Sequence, residues 1–433
     1  MIVDLLYGRN LLPVRFPEHA EVTVIRKRSL PKLPDEQGAI RRALNAPIGS
    51  PPFHELVKGR RSACILICDI TRPVPNRLFL RPMIEGLIAG GISADKITVL
   101  VATGLHRPNV GAELEEVVGD RWVLSTVRVV NHMARVDADH VDLGRTASRG
   151  TPVKIDRRFV EADLRIATGL VEPHFMAGYS GGRKVVAPGI AHADTIRTLH
   201  SARFMEDQLT VQCNLTNNPL HEEQLEIVGM IGEIVGLNTV INEDRHLSYV
   251  SFGEIVQSHL AAVDFVRTST EVPVPRRFKT IVTSAAGYPL DKTYYQTIKG
   301  MVTPLDILDQ DGTLIIASAC SEGMGSSEFC EAQRRLVEKG AGAFLESLTP
   351  KLLADVDEWQ TEMQLKPMRK GRVAMYTEGL SDEERRMTGV ALVASIEDAV
   401  HDSITRAGDN AIAVIPEGPY VVPHCTAPAH FER

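Results

Sequence analysis

The sequence has few cysteines and no long apolar run, and both absences narrow the class of protein. Six cysteines are scattered over 433 residues without a CxxC pair, which argues against a disulfide framework. No apolar run approaches the ~20 residues that cross a bilayer. The first ten residues, MIVDLLYGRN, also lack the basic-then-apolar pattern of a secretion signal. We therefore expect a cytoplasmic protein with no membrane partner.

The sequence also lacks a basic excess and several familiar motifs. Its net charge is -7, whereas a nucleic-acid binder needs a basic face, so no nucleic-acid partner is expected. No GxGxxG with a partner acid follows a strand, no HExxH occurs, and GYSGGRK lacks the GK[ST] ending of a phosphate-binding loop. The missing dinucleotide fingerprint counts against a dehydrogenase with a diffusible nicotinamide cofactor.

Apolar strands and amphipathic helices alternate from residue 63 onward, which is the pattern of an α/β protein. Before that point the chain reads as an irregular or antiparallel opening with a strand at 21–26. The segment 271–277, EVPVPRR, holds two prolines and predicts a linker. The sequence thus predicts two α/β domains with mostly parallel sheets, at 1–272 and 273–433, the C-terminal tail packing back on the first. Predicted strands are 63–69, 96–104, 127–132, 163–170, 279–287, 313–318, 372–377 and 411–416.

One stretch, 172–200, concentrates chemistry-bearing residues. It reads EPHFMAGYSGGRKVVAPGIAHADTIRTLH and holds three histidines and a lysine beside a glycine cluster. Both predicted strands 96–104 and 163–170 end in ATGL followed soon by a histidine, His106 or His174. Because ligands bind at the carboxyl ends of parallel strands, we expect these two histidines at one site.

Two further segments carry polar groups, each with a plain structural alternative. Asp69 and Arg72 follow a buried strand in DITRPVPN, where an arginine suits a carboxylate ligand, although an Asp–Arg pair could equally close the loop. Tyr295 and Lys299 stand four residues apart and share a helical face with Gln296 adjacent. That face suits an anion and a hydroxyl, or it is simply a solvated polar face.

Five motifs taken together resemble the lactate racemase family, whose members use a nickel-pincer nucleotide. They are DITRPVP (69–75), ATGLHRP (102–108), EPHFMAGYSGGRK (172–184), TLH (198–200) and DKTYYQTIKG (291–300). The resemblance covers most of the chain in order. It implies two α/β domains with the cofactor in the cleft between them.

The resemblance also implies roles for individual residues. Lys184 looks like the lysine covalently tethered to the cofactor, a pyridinium-3,5-bisthiocarboxylic acid mononucleotide that carries nickel, and His200 looks like the protein ligand of the nickel. His106 and His174 match the paired acid–base histidines. The remaining positions match groups that line the cofactor or hold the substrate: Asp69, Gly178, Gly181 and Gly182 for the cofactor, and Arg72, Tyr295, Gln296 and Lys299 for the substrate, with Arg72 also stabilising oxyanion charge.

The implied activity is a racemase or epimerase that inverts the C2 centre of a 2-hydroxy acid by proton-coupled hydride transfer through a 2-keto acid. Two alternatives stay open, a nicotinamide-dependent 2-hydroxy acid dehydrogenase and a non-catalytic small-acid or nickel-binding protein. The expected partners are the substrate and the enzymes that build the cofactor and insert nickel. The sequence does not choose among lactate, malate, aryl and sugar acids, and it leaves the oligomeric state open, a homo-oligomer included.

Overall fold

The computed structural model describes residues 1–426. Strands and helices alternate along this part of the chain, as the sequence predicts. The strands are β1 (Ile2–Tyr7), β2 (Asn10–Arg15), β3 (Glu21–Val24), β4 (Ala63–Cys68), β5 (Ile97–Ala102), β6 (Arg128–Asn131), β7 (His140–Arg145), β8 (Pro152–Asp156), β9 (Leu164–Leu170), β10 (Pro173–His174), β11 (Gly178–Tyr179), β12 (Val235–Ile241), β13 (Leu247–Glu254), β14 (Glu271–Val274), β15 (Phe278–Ser284), β16 (Leu308–Ala317), β17 (Gly371–Tyr376), β18 (Ala391–Leu392), β19 (Ala411–Ile415) and β20 (Val422–Cys425).

The α-helices range from single turns to the sixteen residues of the longest. They are α1 (Glu36–Asn45), α2 (Phe53–Leu56), α3 (Asn76–Ala89), α4 (Ala112–Val118), α5 (Arg121–Thr126), α6 (Arg157–Val160), α7 (Arg183–Val186), α8 (Ala193–Leu199), α9 (Ala202–Met205), α10 (Pro219–Ile231), α11 (Ile255–Thr270), α12 (Tyr294–Val302), α13 (Ser327–Lys339), α14 (Ala341–Leu348), α15 (Glu358–Lys370), α16 (Asp382–Met387) and α17 (Ile396–Ala407). Within residues 1–426, none of them is long and apolar enough to cross a membrane.

The chain divides into two compact units, which we call the central and the terminal unit. The central unit comprises Ser29–Leu199 and Gln208–Thr268. The terminal unit comprises Met1–Arg28, His200–Asp207 and the chain from Ser269 onward. Each unit is built on its own six-stranded sheet.

The central unit has a sheet in the order β13-β12-β9-β4-β5-β6. Its strands are parallel except β13, which runs antiparallel to β12 at the edge. Every residue of β4, with the sequence ACILIC, is buried, as expected of a parallel strand that is covered on both faces. The main apolar core of the unit packs α3 and its neighbours onto this sheet.

The terminal unit has a wholly parallel sheet in the order β18-β17-β16-β15-β19-β3. The β1–β2 hairpin contributes Val3, Leu5 and Val14 to the same core as Val282 and Ile412 of this sheet. Strand β3 pairs with β19. The N-terminal 28 residues therefore belong with the C-terminal half of the chain.

The expected fold class, two α/β assemblies with mostly parallel sheets, is confirmed. The grouping of segments differs from the expected 1–272 and 273–433, since the first 28 residues and 200–207 join the terminal unit. The expected linker at 271–277 is partly a strand, because β14 pairs with β20. The tail that was expected to pack back, 427–433, lies outside the described residues.

Candidate active site

Three adjacent parallel strands of the central unit end beside the predicted acid–base residues. Asp69 follows β4, His106 lies four residues after β5, and His174 lies four residues after β9. Since β9, β4 and β5 are neighbours in the sheet and run the same way, their carboxyl ends meet at one edge. The topology thus brings the three residues to one edge of one sheet, where open α/β sheets bind ligands.

His106 and Asp69 form a hydrogen-bonded pair at this edge. The two contacting atoms, Nδ1 of His106 and Oδ2 of Asp69, lie 2.6 Å apart, and the Thr71 hydroxyl donates to the other carboxylate oxygen at 2.5 Å. Burial acts to raise the pKa of Asp69, but the hydrogen bonds from His106 and Thr71 and the charge of Arg72 outweigh it and hold that pKa below its ordinary value. Asp69 is therefore a fixed carboxylate that directs Nε2 of His106 outward.

Arg72 forms an ion pair with Glu172, the residue two positions after β9. Both side chains are partly exposed, at 25% and 37%, so the pair lies at the surface of the site. The backbone N–H of Arg72 also donates to the Asp69 carbonyl at 3.1 Å, closing the turn after β4. The sequence predicted an arginine that leaves the strand end together with Asp69. The structure adds a carboxylate that any anionic ligand must compete with.

The imidazole of His174 is oriented by the turn that follows it. The backbone N–H groups of Met176 and Ala177 lie 3.3 and 3.2 Å from its Nδ1 and donate to it. Nδ1 is therefore an acceptor, and the proton of the neutral ring sits on Nε2. The short β10–β11 pair, in which His174 lies opposite Gly178, closes the turn.

The glycines that follow His174 are required by the protein's own packing. Gly178, Gly181 and Gly182 all have positive φ, at 72, 77 and 49°, a region that disfavours side chains. A Cβ at Gly178 would lie 2.4 Å from the Asn214 carbonyl oxygen, and one at Gly182 would lie 2.7 Å from the His259 ring. The backbone conformation and the close packing account for these glycines without any ligand.

Lys184 lies in the single-turn helix α7 directly after these glycines. Its side chain is half-buried, and its backbone N–H donates to Gly181 at 3.0 Å. Helix α7 packs against β4 and β9, which places Lys184 near the same sheet edge. Lys184 and the three strand-end residues therefore belong to one region of the central unit.

Arg183, which the sequence analysis did not single out, is among the largest fully buried side chains of the protein. Its Nη1 donates to the Tyr179 carbonyl at 2.9 Å and its Nη2 to the Ala177 carbonyl at 2.6 Å. His259 Nε2 donates to the next carbonyl, that of Ser180, at 2.8 Å. In the sequence, the adjacent Arg183 and Lys184 look like two exposed cations. The burial of Arg183 could therefore be seen only in the structure.

The terminal unit holds the remaining predicted residues. The His200 ring packs on the Trp359 ring of α15, with centroids 4.6 Å apart. Tyr295 and Lys299 lie one turn apart on α12 as predicted, and both are half-buried. Burial raises the pKa of Tyr295 above its ordinary value, so its phenol stays a proton donor. Gln296 has a buried side-chain oxygen, Oε1, that finds no hydrogen-bond partner among the described residues.

Within residues 1–426, no group of three His, Cys, Asp or Glu side chains is placed to hold a metal ion. His200 offers a single imidazole nitrogen beside an aromatic ring. Such a donor fits a metal whose other ligands belong to an organic cofactor rather than to the protein.

Models of two protein domains match most of the chain. The lactate racemase N-terminal domain matches residues 7–212, and the lactate racemase C-terminal domain matches residues 276–422. A lactate racemase from Thermoanaerobacterium thermosaccharolyticum is 28% identical, with 97% of this chain and 98% of that protein covered. A lactate racemase from Lactiplantibacillus plantarum is also 28% identical, over 96% and 98%.

Solved structures agree with these matches. The lactate racemase apoprotein from Thermoanaerobacterium thermosaccharolyticum gives a TM-score of 0.90 at 27% identity, covering 98% of this chain and 100% of that one. A protein from Thermotoga maritima gives a TM-score of 0.67 at 16% identity over 90% and 98%. The latter likeness is one of fold alone.

Proposed function

Because this chain belongs to the lactate racemase family and is a racemase, an isomerase, we propose that it inverts the C2 centre of a 2-hydroxy acid through a planar 2-keto acid. The observation that carries the proposal is the pairing of Asp69 with His106 at the same sheet edge as His174. Two imidazoles suit an inversion because each face of the planar intermediate needs its own proton carrier.

We propose that the group bound here is the nickel-pincer nucleotide, tethered at Lys184 and ligated through nickel by His200. When bound, this cofactor would supply the acceptor and donor of the C2 hydride. The half-buried ammonium of Lys184 near the strand ends and the single nitrogen of His200 both fit such a group. Asp69 and the Gly178–Gly182 backbone would line it.

The two histidines would carry the hydroxyl proton of the substrate. Neutral His106 donates Nδ1–H to Asp69 and therefore presents an unprotonated Nε2 that takes a proton. Neutral His174 accepts at Nδ1 and therefore presents Nε2–H. For proton transfer the accepting ring must be neutral with a free Nε2, and the donating ring must be an imidazolium, because loss of Nε2–H from a neutral ring would leave an imidazolate. In each turnover the neutral ring would take the hydroxyl proton of one enantiomer and the imidazolium would return a proton to the keto oxygen. The two rings thereby exchange protonation states, so the proton balance closes.

Arg72 and the polar residues of helix α12 would hold the substrate. Arg72 would bind the oxygen that becomes negative, once the ligand displaces Glu172. Lys299 and the protonated phenol of Tyr295 would bind the carboxylate, and the unpartnered oxygen of Gln296 would accept a hydrogen bond. The side group of the substrate stays open among lactate, malate, aryl and sugar acids.

Protein co-expressed with the cofactor-building and nickel-inserting enzymes, the partners we propose, tests this function. We expect a mass increment on Lys184, about one nickel per chain, and racemisation of a 2-hydroxy acid with no external oxidant. Lys184→Ala should lose the increment and the activity, whereas His106→Ala and His174→Ala should keep the increment and lose turnover.

The alternatives give different outcomes in the same experiment. Turnover that requires added NAD would indicate a dehydrogenase. Ligand binding by fully loaded protein without inversion at C2 would indicate a binding protein. Wild-type turnover in a His106→Ala, His174→Ala double variant would refute the roles given to the two histidines.

A further inference from the structure

Arg183 is a buried cation without a buried anion to neutralise it. Only 1% of the residue is exposed, and within residues 1–426 no carboxylate forms an ion pair with it. Burial lowers the pKa of its guanidinium to about 9, so the group stays charged at neutral pH. A buried charge is costly unless it is hydrogen-bonded. Here backbone carbonyls bind Nη1 and Nη2, while Nε has no partner among residues 1–426. We take this energetic cost as a sign that the charge of Arg183 has a function beyond packing.

The carbonyls that Arg183 binds belong to the turn that orients His174. Nη1 and Nη2 bind Tyr179 and Ala177, two residues apart. The peptide N–H of Ala177 in turn donates to Nδ1 of His174. The planar guanidinium of Arg183 therefore binds the carbonyl of Ala177, and the N–H of Ala177 binds the imidazole of His174.

His259 completes the same arrangement from helix α11. Its Nε2 lies 2.8 Å from the Ser180 carbonyl and 3.1 Å from Nη1 of Arg183. Burial, together with the charge of Arg183, lowers the pKa of His259 well below its ordinary value, so the ring is neutral. Because the Ser180 carbonyl can only accept, the shorter contact places the proton on Nε2, and the 3.1 Å contact with Nη1 of Arg183 is then not a hydrogen bond. Three of the four carbonyls in residues 177–180, those of residues 177, 179 and 180, are thus hydrogen-bonded to the buried side chains of Arg183 and His259.

We propose that Arg183, supported by His259, is the positioning residue that holds the 177–180 turn, and through it His174, in the geometry for proton transfer. The proposal rests on the proposed racemase function for its kinetic consequence, but the positioning itself is a property of the protein without cofactor. Arg183 has no role in proton transfer itself.

Arg183→Lys is the informative substitution, because it keeps the charge and loses the two-pronged contact. Arg165→Lys is the matched control. Arg165 is a partly buried arginine of the same unit whose guanidinium binds the carbonyls of Phe159 and Val160 at 2.6 to 3.1 Å and that of Glu233 at 3.4 Å. His259→Gln, which retains an N–H donor, is compared with His259→Leu, which does not.

The first measurement is amide hydrogen exchange on the apoprotein. We expect Arg183→Lys to speed exchange in 174–182 and to leave 157–165 unchanged, with the reverse in Arg165→Lys. Equal protection of 174–182 in wild type and Arg183→Lys would overturn the proposal. This result does not depend on the cofactor, so it decides on Arg183 even if the wild-type protein fails to racemise and the proposed function falls.

The second measurement is the kinetics of holoprotein that carries the mass increment on Lys184. We expect Arg183→Lys to lower kcat by roughly 10- to 100-fold with KM changed by no more than about threefold, and Arg165→Lys to leave both unchanged. His259→Gln should retain most of the activity that His259→Leu loses. A loss of thermal stability with unchanged kcat in the folded, loaded protein would show a structural role only and would overturn the proposal.

Discussion

His106 and Asp69 form a pair in which one partner is exposed and the other is not. Their contacting nitrogen and oxygen lie 2.6 Å apart, and the His106 side chain is 62% exposed while that of Asp69 is 7% exposed. The buried carboxylate fixes the orientation of the ring, and the ring itself remains largely exposed to solvent. The pair resembles other carboxylate–histidine pairs, in which a buried carboxylate sets the orientation and tautomer of the histidine.

Asp69→Asn should leave the fold intact and lower kcat by on the order of 100-fold. The amide is similar in size, but it no longer supplies a charged acceptor for Nδ1–H, so His106 loses its fixed tautomer. Kinetics of the loaded protein measure the effect, with the mass on Lys184 confirming equal loading. Asp163→Asn, which alters a carboxylate that binds Arg61, is the control and should show wild-type kcat. Wild-type turnover in Asp69→Asn would contradict the role.

The neutral rings of His106 and His174 should carry their protons on different nitrogens. We expect the proton of His106 on Nδ1, which faces a carboxylate, and the proton of His174 on Nε2, because its Nδ1 accepts two N–H groups. Nitrogen-15 NMR of the imidazoles in the apoprotein distinguishes the two forms.

Two buried histidines provide internal references for this measurement. Nδ1 of His140 donates to the Val136 carbonyl at 2.8 Å, and Nε2 of His259 donates to Ser180. The signals of His106 should follow the pattern of His140, and those of His174 the pattern of His259. Identical patterns for His106 and His174 would refute the assignment of opposite tautomers.

The positions of His106 and His174 could be predicted from the sequence because their signals are local. Apolar runs of strand length, each followed by ATGL and a histidine, indicate parallel strands that end at one edge, and β5 and β9 lie one strand apart in the sheet. Buried strands and helices of the α/β pattern were predictable for the same reason.

The rest depends on contacts between segments that lie far apart in the chain. Strand β3 pairs with β19, almost the whole chain away, and β14 pairs with β20. Neither pairing can be read from the local sequence pattern. For this reason the sequence places residues 1–28 in the first domain and 271–274 in a linker. The burial of Arg183 likewise depends on the carbonyls of a folded turn.

Arg72→Lys should lower kcat/KM by about tenfold or more, chiefly through a lower kcat, because Arg72 is proposed to bind the oxygen on which charge develops. Lysine keeps the charge but cannot form two parallel hydrogen bonds with an anion, and Glu172 still competes for it. Arg107→Lys is the matched control, since Arg107 forms a two-pronged pair with Glu113 on an exposed loop next to His106. Equal effects of the two substitutions would show that Arg72 has no specific contact with the substrate.

The terminal unit contains a buried carboxyl that should make stability depend on pH. Glu362 of α15 is 1% exposed, and in the part of the chain that the structure describes its Oε1 has no hydrogen-bond partner. Burial first, and then the nearby charges of Glu206 and Glu358, raise its pKa from 4.5 to about 8, while Lys366 and Arg369 oppose the shift. Folded protein therefore keeps Glu362 protonated at neutral pH.

Glu362→Gln should stabilise the protein at high pH and have little effect near pH 5. Between the unfolded pKa of 4.5 and the folded value of about 8, the folded state binds a proton that the unfolded chain has released. The contribution of Glu362 to stability is thus complete below this window and is lost as the pH rises through it. Glutamine is neutral at every pH and therefore removes that loss. The free energy of unfolding of the variant should exceed that of wild type by at least about 1 kcal/mol above pH ~8.

Denaturant unfolding at both ends of the window measures the difference, with Glu346→Gln on the exposed face of α14 as control. If wild type and Glu362→Gln lose stability in parallel across the window, Glu362 does not titrate in it.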